Sequence, residues 1–214
     1  MRDPKRSKLR AVILDFGDVI SHPADPEVLS WMAALFHVPV EQFRQTYGKY
    51  RLDYDRGVLL ADEYWVKVGS ANGVLPTPEQ ITELRKADVA MWSRLNQTVL
   101  DWVLDLRSAG YKTAVLSNMH RDMIQHLHSN GEWTSRFDFL TLSAELGTAK
   151  PSPEIFKYCL NGLGVAAGEA LFIDDREANI EGARNIGIAG IVAPSTAVLA
   201  ERLEKIGFQP LPKL

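Results

Sequence analysis

The sequence has little cysteine, no long hydrophobic run and no excess of charge. Its 214 residues include one cysteine, Cys159, so the chain cannot form an internal disulfide. The apolar helical pattern around Cys159 predicts a small buried side chain. No apolar run reaches the roughly 18–20 residues that a membrane-spanning helix needs, so we expect no membrane partner.

The charge balance limits the classes of partner. The formal net charge is −3, whereas a dedicated nucleic-acid binder usually carries a basic excess, so we expect no nucleic-acid partner. The basic segment at residues 1–10 lacks the apolar stretch of a secretory signal and fits a solvated tail. These absences favour a cytoplasmic protein, and nothing in the sequence indicates an oligomeric state.

Short apolar segments alternate with amphipathic ones along most of the chain. Residues 98–109 carry apolar side chains at helical spacing and end before Gly110, which predicts a helix. Five other segments are apolar on both faces, as in the strands of a buried parallel sheet: 11–16, 112–117, 138–142, 170–174 and 188–193. The alternation predicts an α/β fold with a Rossmann-like, doubly wound parallel sheet.

Residues 21–96 interrupt this alternation. They contain no convincing strand, and Asp25-Pro26 and Thr77-Pro78 are each typical of a helix N-cap followed by proline in the first turn. Thr77 and Gln80 also have the spacing of a capping box. We therefore predict a core of residues 1–20 and 97–214, with a helical cap of residues 21–96 inserted after the first strand.

Polar side chains stand at or shortly after the ends of four predicted strands. In a doubly wound sheet, ligands bind beyond the carboxyl ends of the strands, so these side chains are expected to share one site. Clustered carboxylates favour Mg²⁺, a carboxylate can serve as a nucleophile, and hydroxyl, amide and ammonium groups can bind a phosphoryl group. The residues are Asp15, Ser117, Asn118, Lys150, Asp174 and Asp175.

Four segments in this order resemble the motifs of the haloacid dehalogenase superfamily. They read VILDFGDVI, AVLSN, GTAKPSPEIF and LFIDDREANIEGARNIG, and they lie within residues 11–187. The insertion stands where that superfamily has its helical C1 cap. Within it, RGVLLADEYW at 56–65 resembles the caps of small sugar-phosphate phosphatases and of the N-terminal phosphatase domain of soluble epoxide hydrolase.

The resemblance implies a role for each residue of the first three motifs. Asp15 would be the nucleophile, and Lys150 would neutralise the phosphate and Asp15. Ser117 and Asn118 would bind the transferring phosphoryl group.

The resemblance also implies a magnesium site. Asp15, the carbonyl oxygen of Gly17 and the acidic pair Asp174 and Asp175 would hold the ion. Asn179 would orient the loop that carries the acidic pair.

The first motif departs from the family pattern at Gly17. Most phosphatases of the superfamily have there an aspartate that protonates the leaving oxygen, and losing such a group costs roughly 10²–10⁴-fold in rate. Asp18 is one residue further on and points another way in an extended chain, so we expect it to support the loop. Three compensations stay open: a cap residue or a repositioned Asp18, a good leaving group such as an acyl or anomeric sugar phosphate, or a departing halide.

We expect a Mg²⁺-dependent phosphatase of a small phosphorylated metabolite, with a sugar phosphate as the candidate substrate and an aspartyl-phosphate intermediate. The alternatives are a 2-haloacid dehalogenase-like hydrolase and a catalytically weak scaffold that binds a phosphometabolite or a protein. The paired acids of the fourth motif favour the phosphatase. Candidate substrate-binding residues in the cap are Arg44, Tyr47 and Arg51, followed by His22, Tyr50, Tyr54 and Trp65, although this segment equally fits a cap helix with a solvated face.

Overall fold

Five strands pair in parallel to form one sheet, in the order β3-β2-β1-β4-β5. A computed structural model describes residues 9–214, so most of the basic segment at 1–10 lies outside the described residues. The strands are β1 (Ala11–Leu14), β2 (Lys112–Ser117), β3 (Phe139–Leu142), β4 (Ala170–Asp174) and β5 (Ala189–Val192). All five predicted strands are confirmed, with ends that differ by two residues at most.

The described part of the chain contains eleven α-helices, some packed on the sheet and others in the segment between β1 and β2. Those between β1 and β2 are α1 (Pro26–Leu35), α2 (Val40–Lys49), α3 (Arg51–Asp55), α4 (Ala61–Ala71), α5 (Pro78–Trp92) and α6 (Gln97–Ser108). The others are α7 (Arg121–Asn130), α8 (Ser143–Leu146), α9 (Pro153–Leu163), α10 (Glu177–Arg184) and α11 (Thr196–Lys205). None of the helices within residues 9–214 combines the length and apolarity needed to cross a bilayer.

Helices cover both faces of the sheet, which confirms the doubly wound arrangement. Side chains alternate along β1, so Val12 and Leu14 pack on one face with α6, α7 and α11. Ala11 and Ile13 pack on the other face with α9 and α10. The predicted helix at 98–109 corresponds to α6, and Cys159 is buried in the second of these clusters, as expected.

The helices α1–α5 enclose an apolar cluster of their own. Its largest fully buried members include Phe36, Phe43 and Trp65. The predicted caps are present, because Asp25 accepts from the backbone of α1, and Thr77 forms a capping box with Gln80 at the start of α5. The predicted division into core and cap agrees with this clustering but stays a prediction.

The chain enters and leaves this helical segment at adjacent points. Ser21 and Leu95 form an isolated antiparallel bridge. On either side of it, the His22 amide donates to the Arg94 carbonyl at 2.7 Å, and the Asn96 amide donates to the Ile20 carbonyl at 2.8 Å. We call residues 20–22 and 94–96 the neck.

Candidate active site

The sheet topology brings the ends of three strands together. Leu14 of β1 is in register with Val115 of β2 on one side and with Ile173 of β4 on the other. The residues that follow these positions therefore meet at the carboxyl edge of the central strands. Asp15 comes one residue beyond β1, and its amide donates to the Ile173 carbonyl at 2.9 Å.

Lys150 is the centre of the polar cluster at this edge. Its Nζ lies 2.7 Å from Asp15 Oδ1 and 2.7 Å from Asp174 Oδ2. The lysine is 2% exposed and Asp174 is fully buried, so solvent screens these charges little. The loop between α8 and α9 thus places one ammonium group between the carboxylate that follows β1 and the carboxylate that ends β4.

Asn118 holds the Lys150 backbone in place. Its Oδ1 accepts from the Lys150 amide at 2.8 Å, and its Nδ2 donates to the Lys150 carbonyl at 3.0 Å. The structure therefore gives Asn118 a positioning role, and the substrate contact expected from the sequence stays a prediction. Ser117, at the end of β2, is 2% exposed, and its hydroxyl makes only a long contact of 3.4 Å with the Asn118 carbonyl.

Asn179 and the start of α10 orient Asp174. The Asn179 Nδ2 lies 3.0 Å from both carboxylate oxygens of Asp174, and the Arg176 amide donates to Asp174 Oδ1 at 2.8 Å. Both oxygens of Asp174 are thus already hydrogen-bonded. Asp175 is more exposed, which leaves it the more available of the two acids for an ion or a substrate.

Burial and neighbouring charges shift the pKa values of the ionisable side chains in this cluster. Burial raises the pKa of Asp15 to about 8, although Lys150 acts in the opposite direction. Burial and the neighbouring Asp174 carboxylate raise the pKa of Asp175 to about 6. Burial alone would lower the pKa of Lys150, but the two carboxylates beside it raise it.

The acids at this edge fit a divalent cation. One carboxylate oxygen from each of Asp15, Asp174 and Asp175 can be chosen so that all three lie within 4.8 Å of one another. Hard oxygen donors are the ligands that Mg²⁺ prefers, and a cation would favour the ionised carboxylates, whose pKa values are raised by burial and then by repulsion from Asp174. The donor set and its charge therefore suit a magnesium ion.

The turn after β1 has an unusual backbone. Gly17 adopts φ −62° and ψ 135°, which any residue tolerates, whereas Asp18 adopts φ +60°, in the left-handed region. A Cβ placed on Gly17 would lie 3.6 Å from Cζ3 of Trp92, at the end of α5. An aromatic edge from the helical segment thus rests against the turn that carries Asp15.

Several cap residues expected to bind substrate belong instead to a buried network. Arg51 Nη1 lies 2.7 Å from the Tyr47 hydroxyl and 2.9 Å from Asp88 Oδ2, and its Nη2 lies 2.8 Å from Asp55 Oδ1. The Tyr47 hydroxyl also donates to Asp88 at 2.6 Å. The polar groups of Arg51 and Tyr47 are therefore occupied by the protein itself.

The remaining cap candidates divide by exposure. Trp65 and Tyr54 are buried, and the expectation that they meet a substrate stays a prediction. Arg44 is exposed on α2, and its substrate-binding role stays a prediction.

The sequence does not predict that three further residues lie near the site: Asp88, His120 and Trp92. Asp88 stands on the apolar stripe of α5 that includes Leu84 and Met91, and a charge at such a helical position is the signal that could have revealed it. His120 contacts this acid across the boundary between helical segment and sheet, with Nε2 3.3 Å from Asp88 Oδ2. Nothing in the sequence marks His120 or Trp92 as neighbours of the site.

A model of the haloacid dehalogenase-like hydrolase family matches residues 9–187. The chain is 30% identical over 182 residues to bifunctional epoxide hydrolase 2 of Rattus norvegicus, a match that covers 82% of this chain and 32% of that protein. It is 29% identical over 189 residues to D-ribitol-5-phosphate phosphatase of Bacteroides thetaiotaomicron, covering 84% of this chain and 89% of that protein.

Solved structures share the architecture. A HAD family enzyme from Bacteroides thetaiotaomicron, in complex with magnesium and inorganic phosphate, matches with a TM-score of 0.66. The match has 23% sequence identity and covers 86% of this chain and 93% of that chain. At this level of identity the likeness shows a common fold.

Proposed function

This chain belongs to the haloacid dehalogenase-like hydrolase family, and from that premise we propose that it is a magnesium-dependent phosphatase of a small phosphorylated metabolite. One observation carries the proposal. Lys150 lies 2.7 Å from both Asp15 and Asp174, next to the more exposed Asp175. The carboxyl edge of the sheet therefore holds the proposed nucleophile Asp15, the ammonium group of Lys150 and two further acids.

Asp15 is the proposed nucleophile. Attack of one carboxylate oxygen on phosphorus would give an aspartyl-phosphate, which water then hydrolyses. The Lys150 ammonium beside Asp15 would offset negative charge that develops on the phosphoryl oxygens, and the Ser117 hydroxyl would donate to one of them. Asn118 acts indirectly, because it holds the Lys150 backbone.

Asp15 and Asp175 would hold a magnesium ion together with the Gly17 carbonyl, and Asp174 would support them. When bound, the ion supplies positive charge that offsets the repulsion between these carboxylates and a phosphate dianion. The donor atoms of the three acids already lie within 4.8 Å of one another, which supports this assignment.

We propose a sugar or sugar-alcohol phosphate as the substrate. The relative from Bacteroides thetaiotaomicron is a D-ribitol-5-phosphate phosphatase by name, and the match runs over 84% of this chain. The helical segment between β1 and β2 would choose among such substrates, because its Trp92 touches the turn that follows the nucleophile.

The test is a phosphatase assay on the purified protein with p-nitrophenyl phosphate and a panel of phosphorylated metabolites. We expect phosphate release with Mg²⁺ and its loss with EDTA. Asp15→Asn should abolish turnover while inorganic phosphate still binds in the presence of Mg²⁺. Wild-type protein that hydrolyses nothing in the panel would refute the phosphatase assignment.

Assays on the same purified protein distinguish a phosphatase from the two alternatives. Halide release from 2-haloacids without added metal, and no phosphate release with it, would support a dehalogenase. Binding of phosphometabolites without turnover would support a catalytically weak scaffold.

A further inference from the structure

We propose that Ser143 is a positioning residue for Lys150, because its buried hydroxyl joins the loop that carries Asn118 to the helical segment between β1 and β2. Ser143 begins α8 and is fully buried. The inference rests on the proposed phosphatase function, in which the Lys150 ammonium offsets charge on the phosphoryl group.

The Ser143 hydroxyl acts both as an acceptor and as a donor. Its Oγ accepts from the Met119 amide at 2.8 Å and donates to the carbonyl of Asp55, the last residue of α3. The Met119 carbonyl is the other nearby acceptor, at the longer distance of 3.4 Å. The last carbonyls of a helix have no partner within it, and a buried amide needs one. One hydroxyl therefore satisfies two groups from distant parts of the chain.

A single peptide unit connects Ser143 to the candidate active site. The Met119 amide and the Asn118 carbonyl belong to the same planar unit, so a rotation that displaces one also displaces the other. The carbonyl of this unit lies 3.4 Å from the Ser117 hydroxyl, which we propose to contact the phosphoryl group. The hydrogen bond from the amide to Ser143 therefore also fixes the carbonyl beside that hydroxyl.

Asn118 carries this constraint to Lys150. Its side chain bonds the Lys150 amide at 2.8 Å and the Lys150 carbonyl at 3.0 Å. Two adjacent residues of the loop after β2 thus hold both ends of segment 143–150. Met119 holds its start through Ser143, and Asn118 holds its end. Release of the Met119 amide would let the neighbouring backbone turn, and the lysine would be held less firmly beside the proposed nucleophile.

The helical segment contacts the chain after β2 at two further points, both from α5. Asp88 Oδ2 lies 3.3 Å from His120 Nε2, and both side chains are buried. Arg85 donates from Nε and Nη2 to the two carboxylate oxygens of Asp122, at 2.7 and 2.9 Å. The link through Ser143 reaches the peptide unit described above directly, so it is the link to test.

The test is a double-mutant cycle with Ser143→Ala and Asn118→Ala, measured with Mg²⁺ on acetyl phosphate and p-nitrophenyl phosphate. Ser143→Ala should lower kcat by roughly 10- to 100-fold, the cost of a small misplacement of a catalytic group, and change KM by less than about threefold. Because Ser143 would act through Asn118, the same substitution in the Asn118→Ala background should lower kcat by less than about threefold. Independent losses that multiply, or a loss confined to KM, would overturn the inference and leave the phosphatase function standing.

Ser21→Ala is the matched control. Ser21 is also buried, at 1% exposure, but its hydroxyl has no hydrogen-bond partner among residues 9–214. The control removes the same atom as Ser143→Ala and should leave kcat and KM unchanged. A comparable loss of kcat in Ser21→Ala would count against the inference, because removal of any buried hydroxyl would then suffice.

Amide hydrogen exchange, followed by NMR, gives a readout that does not depend on turnover. The Lys150 amide is bonded to Asn118 Oδ1, so Ser143→Ala should speed its exchange about tenfold, as expected for the loss of one hydrogen bond, and Ser21→Ala should not. Unchanged exchange at Lys150 would refute the role of Ser143. Wild-type protein that hydrolyses no phosphate would instead refute the phosphatase function, and the exchange rates would still decide whether Ser143 positions Lys150.

Discussion

Among single residues, Lys150 has the largest energetic consequence. It is buried between two carboxylates, and removing one partner of such a cluster leaves uncompensated charge in the interior. Lys150→Met should lower the free energy of unfolding by about 3–5 kcal/mol, measured by urea denaturation in EDTA. The control Lys86→Met removes an exposed lysine paired with Glu83, and should change stability by less than about 0.5 kcal/mol. Equal effects of the two substitutions would contradict the central place of Lys150.

Single residues also show what a sequence can reveal of a site. Asp15, Ser117 and Asp174 stand at or just after a strand end, and parallel strands bring such residues to one edge, so their proximity is predictable from the sequence. Lys150 follows α8, and its place between Asp15 and Asp174 depends on the loop between α8 and α9. Asn118 follows β2 directly, so its place at this edge is predictable from the sequence, whereas its contact with Lys150 is not. Hydrogen bonding to the Lys150 backbone depends on a loop 32 positions away, which no local pattern encodes.

Among the elements, α10 positions the loop that carries Lys150. A Cβ added to Gly182 in this helix would lie 2.7 Å from the Pro151 carbonyl oxygen and 2.8 Å from its Cβ, so backbone would have to move. Gly182→Ala should destabilise the protein by about 1–3 kcal/mol through overpacking and should also lower phosphatase activity, because the displaced residue adjoins Lys150. Denaturation curves and initial rates measure the two effects.

A second helical glycine serves as the control. Gly48 in α2 has no neighbour within 4 Å of an added Cβ, so Gly48→Ala should stabilise the helix by up to about 1 kcal/mol through propensity alone. If Gly182→Ala and Gly48→Ala changed the free energy of unfolding in the same way, helix α10 would not constrain the loop that carries Lys150.

At the scale of the whole molecule, His120 couples the helical segment to the sheet. It is 1% exposed and stacks on Tyr54, and it faces charges from three elements: Asp88 and Arg85 of α5, Arg51 of α3 and Asp122 of α7. Burial lowers the pKa of His120 to about 4. A histidine in the unfolded chain has a pKa of about 6.5. Between these values the unfolded chain binds a proton that the folded protein does not.

The free energy of unfolding should therefore fall as the pH drops from about 6.5 towards 4. His120→Phe keeps a ring on Tyr54 and removes this contribution. The stability difference between wild type and variant should shift by about 3 kcal/mol across that window, in favour of the variant at the acid end. His128→Phe, which replaces an exposed histidine, is the control for the substitution itself. If the free energies of unfolding of wild type and His120→Phe changed with pH in the same way, burial of His120 would not be the source of the acid destabilisation.

Tertiary packing also explains why the sequence predicts the sheet more completely than the contacts of the cap residues. Alternating apolar segments predicted the sheet, because the periodicity of a buried strand is local. The sequence predicts that the cap residues Arg51 and Tyr47 bind substrate, with a solvated helix face as the alternative. In the structure both hydrogen-bond to Asp88, about forty positions along the chain. Polar side chains on a helix face water or a buried partner according to tertiary packing, which helical spacing alone does not determine.

The neck has a consequence for how such proteins diversify. Because the Ser21–Leu95 bridge and the flanking amide bonds hold the two crossings side by side, a segment of any length can leave and rejoin the sheet there. Because β1 lies outside the neck, we expect replacement of the segment to keep the register of β1 with β2 and β4. A change in the segment that we propose to meet the substrate would therefore leave the strand that presents Asp15 in place.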